Sequence, residues 1–458
     1  MKKIFYSIIT LALIVIMGSC NKDSLEPTLA QNNAVETSIN TTQDLQGILY
    51  GAYNRLTSGY YYGRDFIIFG EVRSDNTFSN GNSGRFVTAA AMAVGESDAY
   101  PRDTWTVMYQ AIASANIILG VDLASIDGDA AEISQIQGQA MAIRALVHFD
   151  LLKLYGQQHA GGTLGVPYVT TYKGEDLLPA RNTVAENKVS IMNDLDGALS
   201  LMSASLNSES KEVISTFAVQ ALKSRVAVYF EDWPAAKTAC EAVIGSGVYS
   251  IAEPADYAGT FAMDDASNSV FELAFSGTDN ANINGLAYIY RGGSYGDIQV
   301  LDDLVTIFDE DDVRVAPDMI GYEDTKLRNL GKYPSADFSD NVSVIRFEEV
   351  ILNYAEALFE INNADPEALV QLNKVPAKRN ALPYTTISKD NILKERRREL
   401  CFEGFRFDDL ARTHSDIPLV SPFQQTHGGP TYGSYNYAFP IPVSELNANS
   451  NMAQNDNY

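Results

Sequence analysis

Tryptophan, cysteine and histidine are scarce in this chain: two, three and four residues among 458. The four histidines (His148, His159, His414 and His427) show no HExxH or other metal-ligand spacing. A histidine–cysteine zinc architecture is therefore excluded, and no metal or other cofactor is expected. Three cysteines cannot build a disulfide framework. Cys240 and Cys401 each fall in a helical apolar pattern, where a free cysteine packs as a small hydrophobe, so free thiols are expected. Trp105 lies in a periodic helix and Trp233 in a helix–helix turn, which makes both core residues in expectation. Positive charge is also short, with 33 Lys and Arg against 58 Asp and Glu, a formal net charge of -25. Such a surface repels nucleic acid and anionic lipid head groups, and neither is expected as a partner. After Met17 no apolar run reaches membrane-spanning length.

The start of the chain carries a strong local signal. Lys2 and Lys3 precede an apolar run from Ile4 to Met17, followed by Gly18, Ser19 and Cys20. A positive start, a short apolar core and small residues before the cut read as an export signal. Cys20 directly after Met-Gly-Ser looks like a bacterial lipobox, so residues 1–19 are expected to be a lipoprotein signal peptide and Cys20 the lipidated residue. Residues 20–41 are polar and rich in Asn, Thr and Ser, and read as a flexible tether.

From there to residue 458 a single, mostly α domain is expected. Leu45, Ile48, Leu49, Ala52, Tyr53 and Leu56 form one apolar stripe at helical spacing, with Thr42 as N-cap. Further helices are predicted over 104–119, 130–155, from Thr183, over 216–230, 234–244, 346–361, 366–372 and 388–402. Gly156 suits a helix C-cap and Pro234 a first turn. Helix pairs at this spacing are of tetratricopeptide type, and close to half of the chain is expected to be helical, above the usual third. Two loop-rich insertions, about 59–103 and 248–340, break this pattern. The second holds two strand-like runs, 270–275 and 286–290. Long irregular segments on a helical scaffold commonly carry binding.

Several segments together resemble the SusD/RagB family of surface lipoproteins from Bacteroidetes. Residues 138–170 carry Gly-Gln-Ala-Met-Ala-Ile-Arg-Ala, Leu154-Tyr155-Gly156 and Gly165-Val166-Pro167-Tyr168. Residues 220–251 carry Ala221-Leu222-Lys223-Ser224-Arg225, Asp232-Trp233 and Gly247-Val248-Tyr249. The most specific stretch runs from Arg346 to Arg412 and includes Glu395-Arg396-Arg397-Arg398-Glu399-Leu400 and Glu403-Gly404-Phe405-Arg406. Pro440-Ile441-Pro442-Val443 and Gln454-Asn455 close the chain. Pro376 departs from the family pattern, where an arginine usually follows Asn-x-Val, so that helix is expected to end early. The alternating carboxylates and guanidiniums of 395–412 read as a lattice of charge-assisted pairs between packed elements, in preference to Glu399 and Glu403 as an acid–base pair.

The resemblance implies a SusD-like fold and a non-enzymatic, cell-surface lipoprotein of the outer membrane. It would capture oligosaccharides and deliver them to a SusC-type TonB-dependent transporter. Peptide binding of the RagB kind is the alternative, because the loops lack tryptophan. Sugar recognition needs flat apolar faces with amide, carboxylate and guanidinium groups beside them. With 25 tyrosines in the chain, tyrosine is the available platform. The candidates from the two irregular stretches are Phe78, Arg85, Phe86, Tyr288, Tyr290, Arg291 and Tyr295. A remote hydrolase reading rests on Gly292-Gly293-Ser294-Tyr295-Gly296, with His414 and His427 downstream. A nucleophile elbow, however, needs a strand before the serine and a helix after it.

Overall fold

In the computed structural model the described residues are 39–172, 178–292 and 295–458. The signal sequence, Cys20, most of the tether and Ser294 lie outside them. Eleven helices of seven residues or more are described: α1 (Thr42–Leu56), α2 (Asp65–Val72), α3 (Ala99–Leu119), α4 (Ala130–Tyr155), α5 (Val184–Leu201), α6 (Thr216–Tyr229), α7 (Trp233–Gly245), α8 (Phe347–Ile361), α9 (Pro366–Asn373), α10 (Lys389–Leu400) and α11 (Arg406–Arg412). With the shorter helical turns, about 48 % of the structure is helical. Chain neighbours pack on one another: α3 on α4, α4 on α5, α6 on α7, α7 on α8 and α8 on α9. Residues Thr41–Tyr458 form one compact unit.

Local chemistry sets the helix starts. Thr41, one residue before the expected cap, closes a capping box at α1. Its hydroxyl accepts from the Asp44 amide at 3.2 Å, and the Asp44 carboxylate accepts from the Thr41 amide at 2.9 Å. Thr183 and Glu186 repeat the device at α5. Leu45, Leu49, Ala52, Tyr53 and Leu56 of the α1 stripe are buried. In α4, Arg144 clamps Asp194 of α5 through two bonds of 2.7 Å. His148, one turn on, accepts from the Val169 amide through Nε2 at 3.0 Å and donates from Nδ1 to the Arg144 carbonyl at 2.9 Å. As the Pro376 departure implies, α9 stops at Asn373, and Pro376–Lys378 forms a 3-10 turn.

That turn delivers Arg379 into the ion lattice. Glu399 of α10 accepts from Arg379 at 2.9 and 3.0 Å, from Arg346 at 2.8 Å and from Arg314 at 3.1 Å. Glu348, Glu395, Glu403 and Asp312 complete the surround, with Lys332 on Glu403. Arg314, Arg346, Arg379 and Glu399 are at most 2 % exposed at the side chain. Burial alone would raise Glu399, but the three guanidiniums outweigh it and hold the carboxyl well below its ordinary range. Glu399 and Glu403 are thus structural anions saturated by cations. Cys240 and Cys401 are buried free thiols, both pushed up to about 12 by burial.

The two irregular stretches are more ordered than their sequence suggests. Within 59–103 every residue of α2 is buried. A helix buried on all sides, here with Asp65 and Glu71 among its buried residues, has no apolar stripe, which is why periodicity passes over it. Among the described residues six short strands pair in twos: β1 (Thr77–Ser79) with β3 (Ile298–Val300), β2 (Ser269–Leu273) with β6 (Val342–Arg346), and β4 (Ile320–Glu323) with β5 (Lys326–Asn329). Asp324 and Thr325, at φ 50° and 64°, make the tight β4–β5 turn. Residues 286–290 correct the strand expectation. Leu286, Ile289 and Tyr290 stand at i, i+3 and i+4, and Leu286–Tyr290 forms a short helix that buries them.

Candidate functional site

The antiparallel β1–β3 pair joins the two irregular stretches, with Thr77 opposite Val300 and Ser79 opposite Ile298. Beyond the strand ends, side chains lock the loops together. The Asn80 amide group donates to the Gly296 carbonyl at 2.8 Å, and that of Asn82 to the Tyr295 carbonyl at 2.6 Å. Asp297, fully buried, accepts from the Ser83 backbone amide at 2.8 Å and from its hydroxyl at 2.7 Å. These bonds fix Arg85 and Tyr295 face to face, with the guanidinium 3.7 Å from the ring centroid. Arg85 also donates to Ser83 Oγ at 2.8 Å and to Asn284 Oδ1 at 3.1 Å.

Tyr288 extends the cluster. Its ring meets Tyr295 edge-on at 6.0 Å and Phe338 at 5.4 Å. Tyr288, Tyr295, Phe338 and Arg85 are all partly exposed. The result is a set of half-open rings with one guanidinium and the amides of Asn82 and Asn284 beside them. Rings of this kind stack on the C–H face of a sugar, while guanidinium and amide groups bond its hydroxyls.

Three of the expected ligand residues are instead the supports of this surface. Phe86 is fully buried, stacked on Tyr100 at 5.2 Å, in a left-handed backbone conformation with φ 60°. Tyr290, 1 % exposed, stacks on Tyr333 at 5.8 Å, and both hydroxyls donate to the Phe402 carbonyl. Phe78 is 9 % exposed on β1. No ligand ring can reach these faces, so all three are corrected to core residues. Arg291 is partly exposed, and its guanidinium donates to the Pro334 carbonyl at 2.8 Å and sits 4.0 Å from Glu323. Of the seven candidates the structure brings together Arg85, Tyr288 and Tyr295. The sequence reading missed Asn82, Asn284 and Phe338. The asparagines are visible in the Asn-rich loops, whereas Phe338 is turned by a backbone at φ 65° that no sequence pattern marks.

The hydrolase hook loses its frame. Before Gly292 the chain is helical, and Ile298–Val300 after Ser294 is a strand, the reverse of a nucleophile elbow. His427 bonds Gln425 and accepts from the Gly429 amide, and His414 packs on Tyr432.

Comparison with known proteins agrees with this architecture. Residues 25–228 match a SusD-like family described as starch-binding and associating with the outer membrane, and residues 319–458 match the SusD family. Together the two segments take in most of the chain. The chain belongs to the SusD/RagB family. A SusD-like protein of Formosa agariphila is 22 % identical over 100 % of this chain and 99 % of its own length. The crystal structure of a SusD superfamily protein from Bacteroides thetaiotaomicron superposes with a TM-score of 0.83 at 26 % identity, covering 91 % of this chain and 99 % of that one. A laminarin-binding SusD-like protein shares the fold with a TM-score of 0.73 at 21 % identity, over 91 % of this chain and 99 % of its own. In this SusD-family chain the ring cluster stands on the inserted loops, while the helices between them supply the scaffold.

Proposed function

We propose that this protein captures neutral glucan chains at the Arg85–Tyr288–Tyr295 cluster. The carrying observation is that two loops over 200 residues apart are locked so that half-open rings, a guanidinium and amides converge. The matched family description names starch, and a fold relative's name carries laminarin, both neutral glucans. The remaining parts of the reading are a signal peptide over 1–19, a lipid on Cys20, a tether to residue 41 and a single binding domain over 42–458. The protein sits on the cell exterior of the outer membrane and hands its ligand to a SusC-type TonB-dependent transporter. No helix of the described residues is long and apolar enough to cross a membrane, which is compatible with a lipid anchor.

Calorimetry with maltooligosaccharides and laminarioligosaccharides, beside a peptide library, tests the ligand class. Arg85→Ala and Tyr295→Ala should each weaken the best glucan roughly tenfold, the loss typical of a central aromatic or arginine anchor. Unchanged affinity in both variants refutes the site. Peptide binding without glucan binding transfers the reading to peptide uptake. Co-purification of a large barrel protein after mild detergent extraction tests the delivery step, and its repeated absence counts against it.

A further inference from the structure

A second concavity lies beside the ring cluster. It is a cleft of ≈ 510 Å³ between α1, α3 and the loop before residue 285, with Asn54, Tyr60, Asp103, Gln110, Asp279 and Asn280 among its walls. This is the size range of ordinary ligand sites. Its lining is rich in amides, hydroxyls and carboxylates, and of its two large rings Tyr60 is the open one, 48 % exposed, while Phe275 is partly buried. The turn that presents Tyr60 is firmly held. The Tyr61 and Gly63 amides both donate to the Ser58 carbonyl, at 2.8 and 3.0 Å, and the Asp65 amide donates to Gly59 at 3.1 Å. A Cβ on Gly63 would meet the Thr57 carbonyl at 2.2 Å, so the turn admits no other residue there.

The cleft and the ring cluster share a wall. Phe275 and Ala281 line the cleft and also a narrow crevice whose lining includes Phe338, the ring packed on Tyr288. The same loop then delivers Asn284 to Arg85. Rings on either side of a shared wall, with a polar trough at one of them, suit a chain of repeated hydroxyl-rich units.

We infer that this cleft is a second subsite for the same glucan chain, with Tyr60 as its stacking ring and Asp103, Gln110 and Asn280 as hydroxyl partners. The inference rests on the glucan reading above and deepens it: the ligand is an extended chain that lies across both sites. Affinity therefore grows with chain length, and Tyr60 is what makes it grow.

The experiment is calorimetry with maltooligosaccharides and laminarioligosaccharides from disaccharide to heptasaccharide, on wild type, Tyr60→Ala and Tyr295→Ala. Wild type should bind the longer members of one series more tightly. Tyr60→Ala should remove that gain, roughly a tenfold loss for the heptasaccharide, and leave the disaccharide affinity unchanged. Tyr295→Ala should weaken all lengths. Because Tyr60 is a surface ring, an unaltered melting temperature confirms that the variant is folded, and Asp103→Asn supplies a second variant with the same expected length selectivity. The subsite is overturned if wild-type affinity is independent of length, or if Tyr60→Ala and Asp103→Asn bind the long chains like wild type. Absence of binding by every oligosaccharide in wild type overturns the glucan reading itself, and the subsite with it.

Discussion

Replacing Glu399 by Gln removes one charge from the middle of the lattice and leaves the shape nearly unchanged. Oε1 of Glu399 accepts from Arg346 and Arg379, and Oε2 from Arg379 and Arg314. A carboxamide can satisfy one of these oxygen positions. Its NH₂ group at the other must face two guanidinium N–H donors with no acceptor between them. Breaking a buried ionic network from one side costs about 3–5 kcal/mol. Each arginine here keeps another carboxylate: Arg379 has Glu348, Arg346 has Glu348 and Glu403, and Arg314 has Asp312 and Glu395. The lower end, about 3 kcal/mol, is therefore expected. An unfolding entropy of roughly 2.1 cal/mol/K per residue over Thr41–Tyr458 gives about 0.9 kcal/mol/K. Glu399→Gln should thus lower the melting temperature by ~3 °C in calorimetry. Arg102→Ala is the control, since its pair with Asp103 is 50 % and 25 % exposed at the side chains and contributes little. Melting of Glu399→Gln within about 1 °C of Arg102→Ala, a difference below about 1 kcal/mol at that entropy, would refute the view of Glu399 as the lattice's central anion.

Acid should destabilise the fold in two steps. Burial holds His148 down to about 3, while the unfolded chain takes up that proton near 6.5, so stability is flat above that pH and declines below it. His148→Asn should be less stable at pH 7 but lose less between pH 6.5 and 4 in a series of melts. Burial would raise Glu356, yet the Arg412 guanidinium outweighs it and keeps the carboxyl at about 2; its contribution, present above the usual carboxylate pKa, should fade only as the pH falls from about 4.5 towards 2. Gly70→Ala should lower the melting temperature, because a Cβ there would lie 2.0 Å from the Gly404 carbonyl oxygen, an overpacking that costs about 1–3 kcal/mol. Gly47→Ala, on the open face of α1 with nothing within 4 Å, should be neutral or stabilising, up to about 1 kcal/mol by helix propensity. Equal effects at the two glycines would contradict the close α2–Gly404 approach.

What the chain shows in its sequence and what it hides divide along a physical line. The bounds of α4, residues 130–155, are legible because a long helix-forming stretch without proline runs to Gly156, and α6, α7 and α8 fall within a residue or two of their expected limits. One-sided burial writes a 3.6-residue period, and caps mark its ends. Helix α2 is hidden for the opposite reason, since burial on every side erases the period. Burial state in the loops is hidden as well. Phe86 and Tyr295 are both aromatic residues beside Gly, Ser and Asn, yet one is core and the other surface. The difference arises from Tyr100, at 2.7 Å from the Phe86 amide and stacked on its ring, and from Asn82, which draws the Tyr295 backbone across from a distant loop. Such assignments depend on long-range pairing, here β1 with β3, and that pairing has no local signature in three-residue strands. The stretches that hold the site were therefore readable as regions, and Arg85, Tyr288 and Tyr295 as residue types suited to a sugar. Which rings face outward was decided by contacts between segments roughly 200 positions apart.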